Sequence, residues 1–322
     1  MNWETLKKKF SHVDDTPVIW GNNDKTGKNR TDYTTRRNQW KSHAASHGLH
    51  PVEFLLPRIL CHCPPDEPDF IARGAEPDHI TRDEARATLD RLQPWGFYFR
   101  FWDMTTESPN ALHSKNKSPL FARNRTLCRS HLITSSVQRL LGDNIHDATF
   151  LDMGCNCGFF SLDIASRGAR SVHGIDFRHD NIERANFLKH FYRMDNVDFS
   201  IGDVMDLPDD KQYSVVYNLG LLYHVIDPFA LMQKTYDLCT DFSVVDTVCH
   251  REPVSAFIAS YGKDNEHFGE GKFTAELQPT YRALIDIMHH VGFRFVIELV
   301  ADTGRVSGFY RDHVRRCVIG FK

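Results

Sequence analysis

The sequence predicts an α/β protein with a doubly wound, seven-stranded and mostly parallel sheet, preceded by a mainly helical N-terminal extension. Three observations support this prediction. Strand-like and helix-like segments alternate after residue 127, a glycine loop stands where the first strand meets a helix, and polar residues end successive strands. Such alternation is typical of parallel sheets, whose ligands bind beyond the carboxyl ends of the strands.

The first 125 residues lack this alternation. Short helical patches are separated there by loops rich in proline and aspartate. Thr81 and Glu84 form a capping-box pattern that predicts a helix to about Leu92, and Pro94 then ends it. We expect residues 1–125 to form a helical or irregular cap and residues 126–322 to form the ligand-binding domain.

The elements of the second region follow in order. A helix with one apolar face from Leu127 to Leu141 is closed by Gly142. Residues 249–278 have little periodicity and are expected to form a lid insertion. The remaining pattern predicts strands at 148–153, 171–176, 197–202, 213–219, 242–248, 293–300 and 316–321, and helices at 159–167, 180–192, 227–236 and 279–291.

Composition excludes several classes of protein. Hydrophobic residues make up 41% and charged residues 25%, the balance of a folded globular chain. The net charge of −3 gives no overall attraction to nucleic acid or to an anionic membrane. The longest largely apolar run, Ser214 to Tyr223, is about half as long as a bilayer span. Because the N-terminus also lacks a secretory leader, we expect a cytoplasmic protein without a membrane partner.

The eight cysteines are expected to be reduced thiols, since a chain of this length without a secretion signal needs no disulfide framework. Cys61-His62-Cys63 places three soft ligands together, but no second pair stands at zinc-finger spacing. The 18 histidines contain no spaced ligand set. No metal site is therefore predicted.

The strongest local signal is the loop Asp152-Met153-Gly154-Cys155-Asn156-Cys157-Gly158-Phe159. Gly154 lets a ligand approach the backbone, Asn156 tolerates a left-handed conformation, and Gly158 permits close packing where the helix begins. The loop lacks the second glycine of the dinucleotide fingerprint and the Lys-Ser/Thr pair of a phosphate-binding loop. A ligand other than a pyrophosphate is expected on it.

Groups suited to a nucleoside follow at other strand ends. Asp176 ends the second strand, where a carboxylate can accept hydrogen bonds from ribose hydroxyls. Gly202-Asp203-Val204 can read an adenine edge, and Asn218-Leu219 stands beside the expected reacting centre. Asp152 can hold a cationic amino group. Each acid alone could equally be a helix cap or a solvated turn, but the series predicts a nucleoside site.

Residues 148–246 resemble the core of class I S-adenosylmethionine-dependent methyltransferases, whose first motif is acidic-x-Gly-x-Gly-x-Gly and whose second strand ends in an acid. Asn156 replaces the middle glycine. Asp152–Ser161, with Gly220-Leu221-Leu222-Tyr223-His224 and Asp227-Pro228, is similar to the group containing the tRNA wobble-uridine carboxymethyltransferases. The resemblance covers about residues 90–322. It implies the class I fold and S-adenosylmethionine as cofactor, and it adds three residues to the expected cofactor site: Cys155, Phe159 and Phe177.

One departure from that group concerns the cofactor. The group has a Leu-Lys-Pro-Trp element, whereas this chain reads Leu92-Gln93-Pro94-Trp95. The resemblance implies that the lysine meets the extra carboxylate of carboxy-S-adenosylmethionine, a charge that the neutral Gln93 does not supply. We therefore expect ordinary S-adenosylmethionine and methyl transfer.

Two candidate catalytic residues lie in the turn after the fourth strand. His224 stands where the transferred methyl group should point and could act as a general base, or it could orient the loop through a backbone hydrogen bond. Tyr223 could line the methyl pocket or only pack. Before the core, Arg123, Arg125 and Arg129 could contact an anionic acceptor, although a solvated helix face is the simpler interpretation.

An aromatic stretch before the core supplies candidate substrate contacts. Trp95, Tyr98 and Trp102 could form the wall of an acceptor pocket, or they could pack between two layers of the core.

Three hypotheses for the function follow. The first is methyl transfer to a small polar metabolite, at oxygen or nitrogen, which the near-neutral charge favours. The second is tRNA modification, which would need a basic face formed by Lys7 to Lys9, Arg36-Arg37 and Lys115 or Lys117. The third is a regulator that binds S-adenosylmethionine without catalysis.

Overall fold

The computed structural model describes residues 8–9, 13–14, 58–61, 63–64, 66–74, 76–106, 120–250, 252, 254–261, 275–301, 310 and 314–322. The predicted basic face lies almost entirely outside the described residues, because only Lys8 and Lys9 of its members are described. His62 and residues 262–274 of the predicted lid insertion also lie outside them.

Among the described residues, thirteen strands alternate with helices. The strands are β1 Val13–Asp14, β2 Arg58–Cys61, β3 Arg100–Phe101, β4 Met104–Thr105, β5 Thr149–Met153, β6 Ser171–Asp176, β7 Val197–Ile201, β8 Tyr213–Leu219, β9 Cys239–Val248, β10 Phe257–Tyr261, β11 Ala275–Pro279, β12 Phe295–Ala301 and β13 Arg315–Phe321. The helices are α1 Asp69–Gly74, α2 Arg82–Arg91, α3 Leu120–Arg129, α4 Ser136–Leu141, α5 Phe159–Ser166, α6 His179–Phe191, α7 Pro228–Asp237 and α8 Tyr281–Val291. A π-helical turn, Ser130–Ser135, joins α3 to α4.

The main sheet has the strand order β1-β2-β12-β13-β9-β8-β5-β6-β7. The five strands from β9 to β7 are parallel, and β13 is inserted antiparallel between β9 and β12. The chain reverses its winding direction between β5 and β8, so the carboxyl ends of these strands border a cleft. The predicted doubly wound α/β fold is confirmed, including the pairing of the last two strands.

The N-terminal region differs from the expected helical extension, because it also supplies strands to the sheet. β2 pairs in parallel with β12, and β1 pairs with β2. Ile59 and Cys61 of β2 are buried while Leu60 is exposed, and so short a strand carries too few residues for a detectable alternation. The predicted lid insertion likewise contains strands, since β10 and β11 pair as an antiparallel hairpin.

Two apolar layers cover the faces of the sheet. The α7–α8 layer packs against one face through residues such as Leu231, Leu284 and Met288. The opposite face is covered by α3 to α6 and by the aromatic stretch before α3. The predicted start of α2 is confirmed, because Thr81 and Glu84 form its capping box.

Candidate active site

The glycine loop folds back over the end of β6. The backbone amides of Gly154 and Cys155 both donate to the carbonyl oxygen of Ile175, at 2.9 and 3.0 Å. The loop is therefore anchored on the neighbouring strand by its own backbone. The Cys155 thiol is buried, and this raises its pKa well above the ordinary value.

Three residues of this loop, Gly154, Asn156 and Gly158, have positive φ, and the sequence predicts this conformation for Asn156. Asn156 has φ of 52° and Gly158 has φ of 78°. The Asn156 side-chain oxygen accepts from the amide of Cys157 at 2.8 Å, which stabilises the turn. A Cβ atom on Gly158 would lie 2.4 Å from Cζ of Phe199, so the position needs glycine for space as well as for conformation.

Asp176 holds the loop and the start of α6 together. Its Oδ2 accepts from the amide of Asn156 at 2.9 Å. Its Oδ1 accepts from the amide of Arg178 at 3.0 Å and from Nδ2 of Asn181 at 3.1 Å. A carboxylate has about four acceptor positions, so this one retains capacity for a ligand hydroxyl while its orientation is fixed.

An apolar surface lies beside this carboxylate. Phe177, Ile201 and Met205 are 41%, 54% and 40% exposed and are three of the six large apolar side chains exposed among the described residues. They follow the ends of the adjacent strands β6 and β7. Asp203 caps the turn there, because its Oδ1 accepts from the amide of Met205 at 3.0 Å, and Val204 is buried. A purine and its ribose would match this combination of exposed apolar area and carboxylates.

Asp152 lies in the core beneath the glycine loop and is 2% exposed. Its Oδ2 accepts from the hydroxyl of Ser161 at 2.7 Å. Burial raises the pKa of Asp152 to about 6, although the Ser161 hydrogen bond and the charge of Arg129 act in the opposite direction. A ligand ammonium group nearby would favour the ionised carboxylate.

Asn218 and Leu219 at the end of β8 are committed to contacts within the protein. Asn218 is fully buried, and its Nδ2 donates to Oγ1 of Thr235 at 3.3 Å. The Leu219 carbonyl accepts from Nη2 of Arg129 at 3.3 Å. Both contacts stabilise the edge of the cleft, and the cofactor contacts predicted for these two residues stay predictions.

The turn after β8 forms the opposite wall of the cleft. Leu221 packs directly on the glycine loop, since its Cδ1 is 3.2 Å from where a Cβ of Gly154 would stand. Tyr223 and His224 follow in a 3-10 turn, Leu222–His224, with their ring centroids 4.0 Å apart. The sequence-predicted catalytic pair therefore lies beside the predicted cofactor loop.

His224 is held in the neutral form. Burial, together with the charges of Arg315 and Arg178, lowers the pKa of His224 to about 4. The Glu276 carboxylate, whose Oε1 is 3.4 Å from Nδ1, favours the protonated form, but burial and two guanidinium groups outweigh one contact of that length. A neutral imidazole has a nitrogen lone pair that can accept a proton, although a pKa of about 4 makes His224 a weaker base than an ordinary histidine.

A buried ionic network lies behind this turn. Asp246 of β9 stands opposite Leu219 in the sheet register and is fully buried. Its carboxylate accepts from Nη2 of Arg129 at 2.9 Å, from Nε of Arg315 and from the hydroxyl of Tyr310. Burial alone would raise the pKa of Asp246, but the two arginines and the hydrogen bonds lower it below the ordinary value. The network fixes the acceptor side of the cleft.

Comparison with known proteins agrees with this geometry. A family model described as a methyltransferase domain matches residues 146–273. The N-terminal domain of EvdMO1, solved in the presence of SAH and D-fucose, superposes with a TM-score of 0.55 at 19% identity, covering 75% of this chain and 97% of that one. Residues 146–273 thus match a methyltransferase domain, and the sheet has the class I methyltransferase fold. S-adenosylmethionine is accordingly the cofactor of the methyltransferase domain.

Curated relatives match shorter stretches. A tRNA U34 carboxymethyltransferase from Campylobacter fetus subsp. fetus is 28% identical over 92 residues, which are 28% of this chain and 32% of the relative. An O-antigen chain terminator bifunctional methyltransferase/kinase from Escherichia coli is 31% identical over 182 residues, 50% of this chain and 25% of the relative. The matched stretches thus span about a third or less of these relatives.

The predicted substrate contacts Trp95, Tyr98 and Trp102 make packing and hydrogen-bond contacts within the protein. Trp95 is buried, and its Nε1 donates to the carbonyl of Leu89 at 3.1 Å. Trp102 packs edge-to-face on Phe191, at the far end of α6 from the cleft. Tyr98 is 3% exposed, and its hydroxyl donates to a carboxylate oxygen of Glu67 at 2.5 Å. These positions favour packing over contact with an acceptor.

Phe159 of the glycine loop is also committed to packing. It is fully buried, and its ring stacks on Phe97 with the centroids 5.5 Å apart and the planes 8° apart. Arg129, which the sequence suggested as part of a solvated helix face, is 6% exposed and belongs to the Asp246 network instead.

Sequence reasoning missed four residues of the acceptor side: Asp246, Glu276, Tyr310 and Arg315. They come from three separate parts of the chain, since only Tyr310 and Arg315 are near each other in sequence, and none belongs to a local motif. A carboxylate within the apolar strand β9 was the one available signal, since an acid in a central strand needs a partner.

The described residues contain no group of three side chains able to hold a metal ion. All eight cysteines are free and buried, so burial keeps several of their thiol pKa values high, that of Cys157 at about 12. Within the described part of the chain, no helix has the length and apolar character needed to span a bilayer.

Proposed function

We propose that this protein transfers the methyl group of S-adenosylmethionine to an oxygen or nitrogen atom of a small polar metabolite. The observation that supports the proposal best is the position of His224: a neutral, largely buried imidazole lies next to the turn residue Leu221, which packs on Gly154 of the glycine loop. When bound there, the cofactor supplies an activated sulfonium methyl that a nucleophile takes in line with the departing sulfur. The chain's own part is to align the acceptor, exclude water and receive its proton.

The charges around His224 favour an acceptor that is neutral or becomes negative. Arg315 and Arg178 both act on His224 strongly enough to lower its pKa. The same positive charges would repel an ammonium acceptor and stabilise the oxyanion formed from a hydroxyl group. A hydroxyl acceptor is therefore the preferred substrate group within the proposal.

The second candidate is tRNA modification, which the likeness to tRNA U34 carboxymethyltransferases favours. Gln93 bears on this alternative, because it is exposed and neutral where that group has a lysine. A carboxylated cofactor would find no lysine charge at this position, so methyl transfer remains the proposed chemistry for either acceptor.

The test supplies isotope-labelled S-adenosylmethionine and offers, in separate reactions, a small-metabolite extract and total tRNA. We expect label in one small molecule, and about 100-fold less with His224→Gln, the loss typical of removing a general base. Calorimetry should show that this variant binds S-adenosylmethionine within about threefold of wild type, because His224 is a proton acceptor rather than an anchor in this proposal.

Label in tRNA nucleosides would replace the first candidate by the second. Binding of S-adenosylmethionine without any labelled product would support the non-catalytic regulator, and absence of binding would contradict all three hypotheses.

A further inference from the structure

Glu276 stands beside the candidate base although the two residues are far apart in sequence. It lies on β11, the second strand of the β10–β11 hairpin, which packs against the turn Leu222–His224. Its Oε1 is 3.4 Å from Nδ1 of His224. The Glu276 side chain is 26% exposed and the His224 side chain 10% exposed, so protein surrounds most of this contact.

The orientation of the Glu276 carboxylate is fixed from its other side. Nε2 of Gln278, two residues along the same strand, donates to Oε2 at 2.9 Å. Residues at this spacing project from the same face of a strand, so the hairpin itself sets the pair. Oε2 is thereby engaged, and Oε1 is the oxygen left to face the imidazole.

Nδ1 of His224 needs this carboxylate. The atom is enclosed and makes no hydrogen bond within the described part of the chain, and a buried polar atom left in that state costs about 1–3 kcal/mol. A carboxylate can only accept, so it satisfies Nδ1 when that nitrogen carries the proton. The present 3.4 Å separation exceeds a good hydrogen bond, as is common for catalytic contacts before the substrate binds.

We propose that Glu276 is a positioning residue that holds His224 as the Nδ1–H tautomer, so that the lone pair of Nε2 faces the acceptor. This inference rests on the role proposed above for His224. The same carboxylate would stabilise the imidazolium formed when Nε2 takes the acceptor proton. The β10–β11 hairpin thus contributes Glu276 to the reacting centre, and the hydrogen bond from Gln278 holds the Glu276 carboxylate in position.

The positive charges of Arg315 and Arg178 are compatible with the Nδ1–H tautomer of His224. Arg315 and Arg178 disfavour the imidazolium in the resting protein, so Glu276 contacts a neutral ring and selects its tautomer rather than its charge. The Tyr223 ring packs against the imidazole at 4.0 Å and limits its rotation. The carboxylate then determines which of the two ring nitrogens carries the proton.

The test is a nitrogen-15 NMR measurement of histidine-labelled full-length protein, with the His224 signals assigned by their loss in His224→Gln. We expect the Nδ1–H pattern in wild type. In Glu276→Ala the pattern should change to Nε2–H, the form that free imidazole side chains prefer. Glu252→Gln, which removes an exposed carboxylate within the same insertion, should leave the wild-type pattern.

Calorimetric titration with S-adenosylmethionine tests the proposed function separately from the role of Glu276. If wild type fails to bind, the proposed function is wrong, whereas the tautomer result still stands or falls by itself. An Nε2–H pattern in wild type would overturn the role of Glu276 without any variant. An unchanged Nδ1–H pattern in Glu276→Ala that still binds the cofactor would overturn it as well.

Discussion

The two halves of the cleft are built in different ways. The cofactor half, from Asp152 to Asn181, is continuous in sequence and is held by backbone amides that donate to Asp176 and Ile175. The acceptor half joins the turn Leu222–His224 to charged side chains from four other segments, those of Arg129, Asp246, Glu276 and Arg315. One local motif therefore builds the first half, whereas the second half depends on side chains that only the tertiary structure brings together.

The largest expected effect lies in the acceptor half. Asp246→Asn should lower the free energy of unfolding by about 3–5 kcal/mol, because Arg129 and Arg315 would lose their buried carboxylate. Denaturation by urea measures the change. Asp286→Asn is the matched control: it breaks a partly exposed pair with Arg282 on α8 and should cost about 0.5 kcal/mol or less. Equal losses in the two variants would contradict a structural role for the buried network.

The next effect belongs to the cofactor half. Asp176→Ala should weaken S-adenosylmethionine binding about 100-fold, since the carboxylate organises the loop through three hydrogen bonds that are worth about 1.5–3 kcal/mol each when one partner is charged. Calorimetric titration provides the affinity. Asp180→Ala removes a more exposed aspartate nearby, paired with Arg184, and should stay within about threefold of wild type. A similar loss in both variants would mean that general charge, rather than the clamp, controls binding.

His224 should make stability fall on acidification. The unfolded residue takes up a proton below about pH 6.5, but the folded one does so only near pH 4, so its contribution is lost as the pH falls through this window. Between pH 7 and pH 5 the loss is about 2 kcal/mol. The wild-type protein should therefore lose more stability over this range than His224→Gln, as followed by urea denaturation. The exposed His179 provides a control, because His179→Gln should reproduce the wild-type slope.

The titration of Asp152, in the cofactor half, should change the stability of the fold in the opposite direction to that of His224, and by less. Its folded pKa of about 6 lies above the ordinary 3.8, so its contribution to stability is present at low pH and is lost as the pH rises toward 6. Relative to wild type, Asp152→Asn should lose about 1 kcal/mol more stability between pH 7 and pH 5. An equal loss in the two proteins would show that this carboxylate is ionised in the folded protein throughout that range.

Much of the fold could be predicted because its signals are local. The fourth strand was predicted at its observed limits, 213–219, from its apolar run, and the left-handed conformation of Asn156 follows from its residue type. The strands of β2 and of the β10–β11 hairpin were missed, because each is too short or too irregular to show a period. The aromatic residues were recognised, but Trp95 and Trp102 pack in the core, and an aromatic side chain serves a core or a pocket equally well in sequence.

The sequence by itself determined strands β5 to β9, β12 and β13 of the sheet, the glycine loop and the carboxylate that holds it. Each depends on residues close together in the chain and on backbone conformation. Tertiary structure alone decided the acceptor side. It placed Arg129 and Arg315 on one buried aspartate and brought Glu276 to His224. Burial and the charges of distant residues then set the proton affinity of each group, and no local pattern encodes those surroundings.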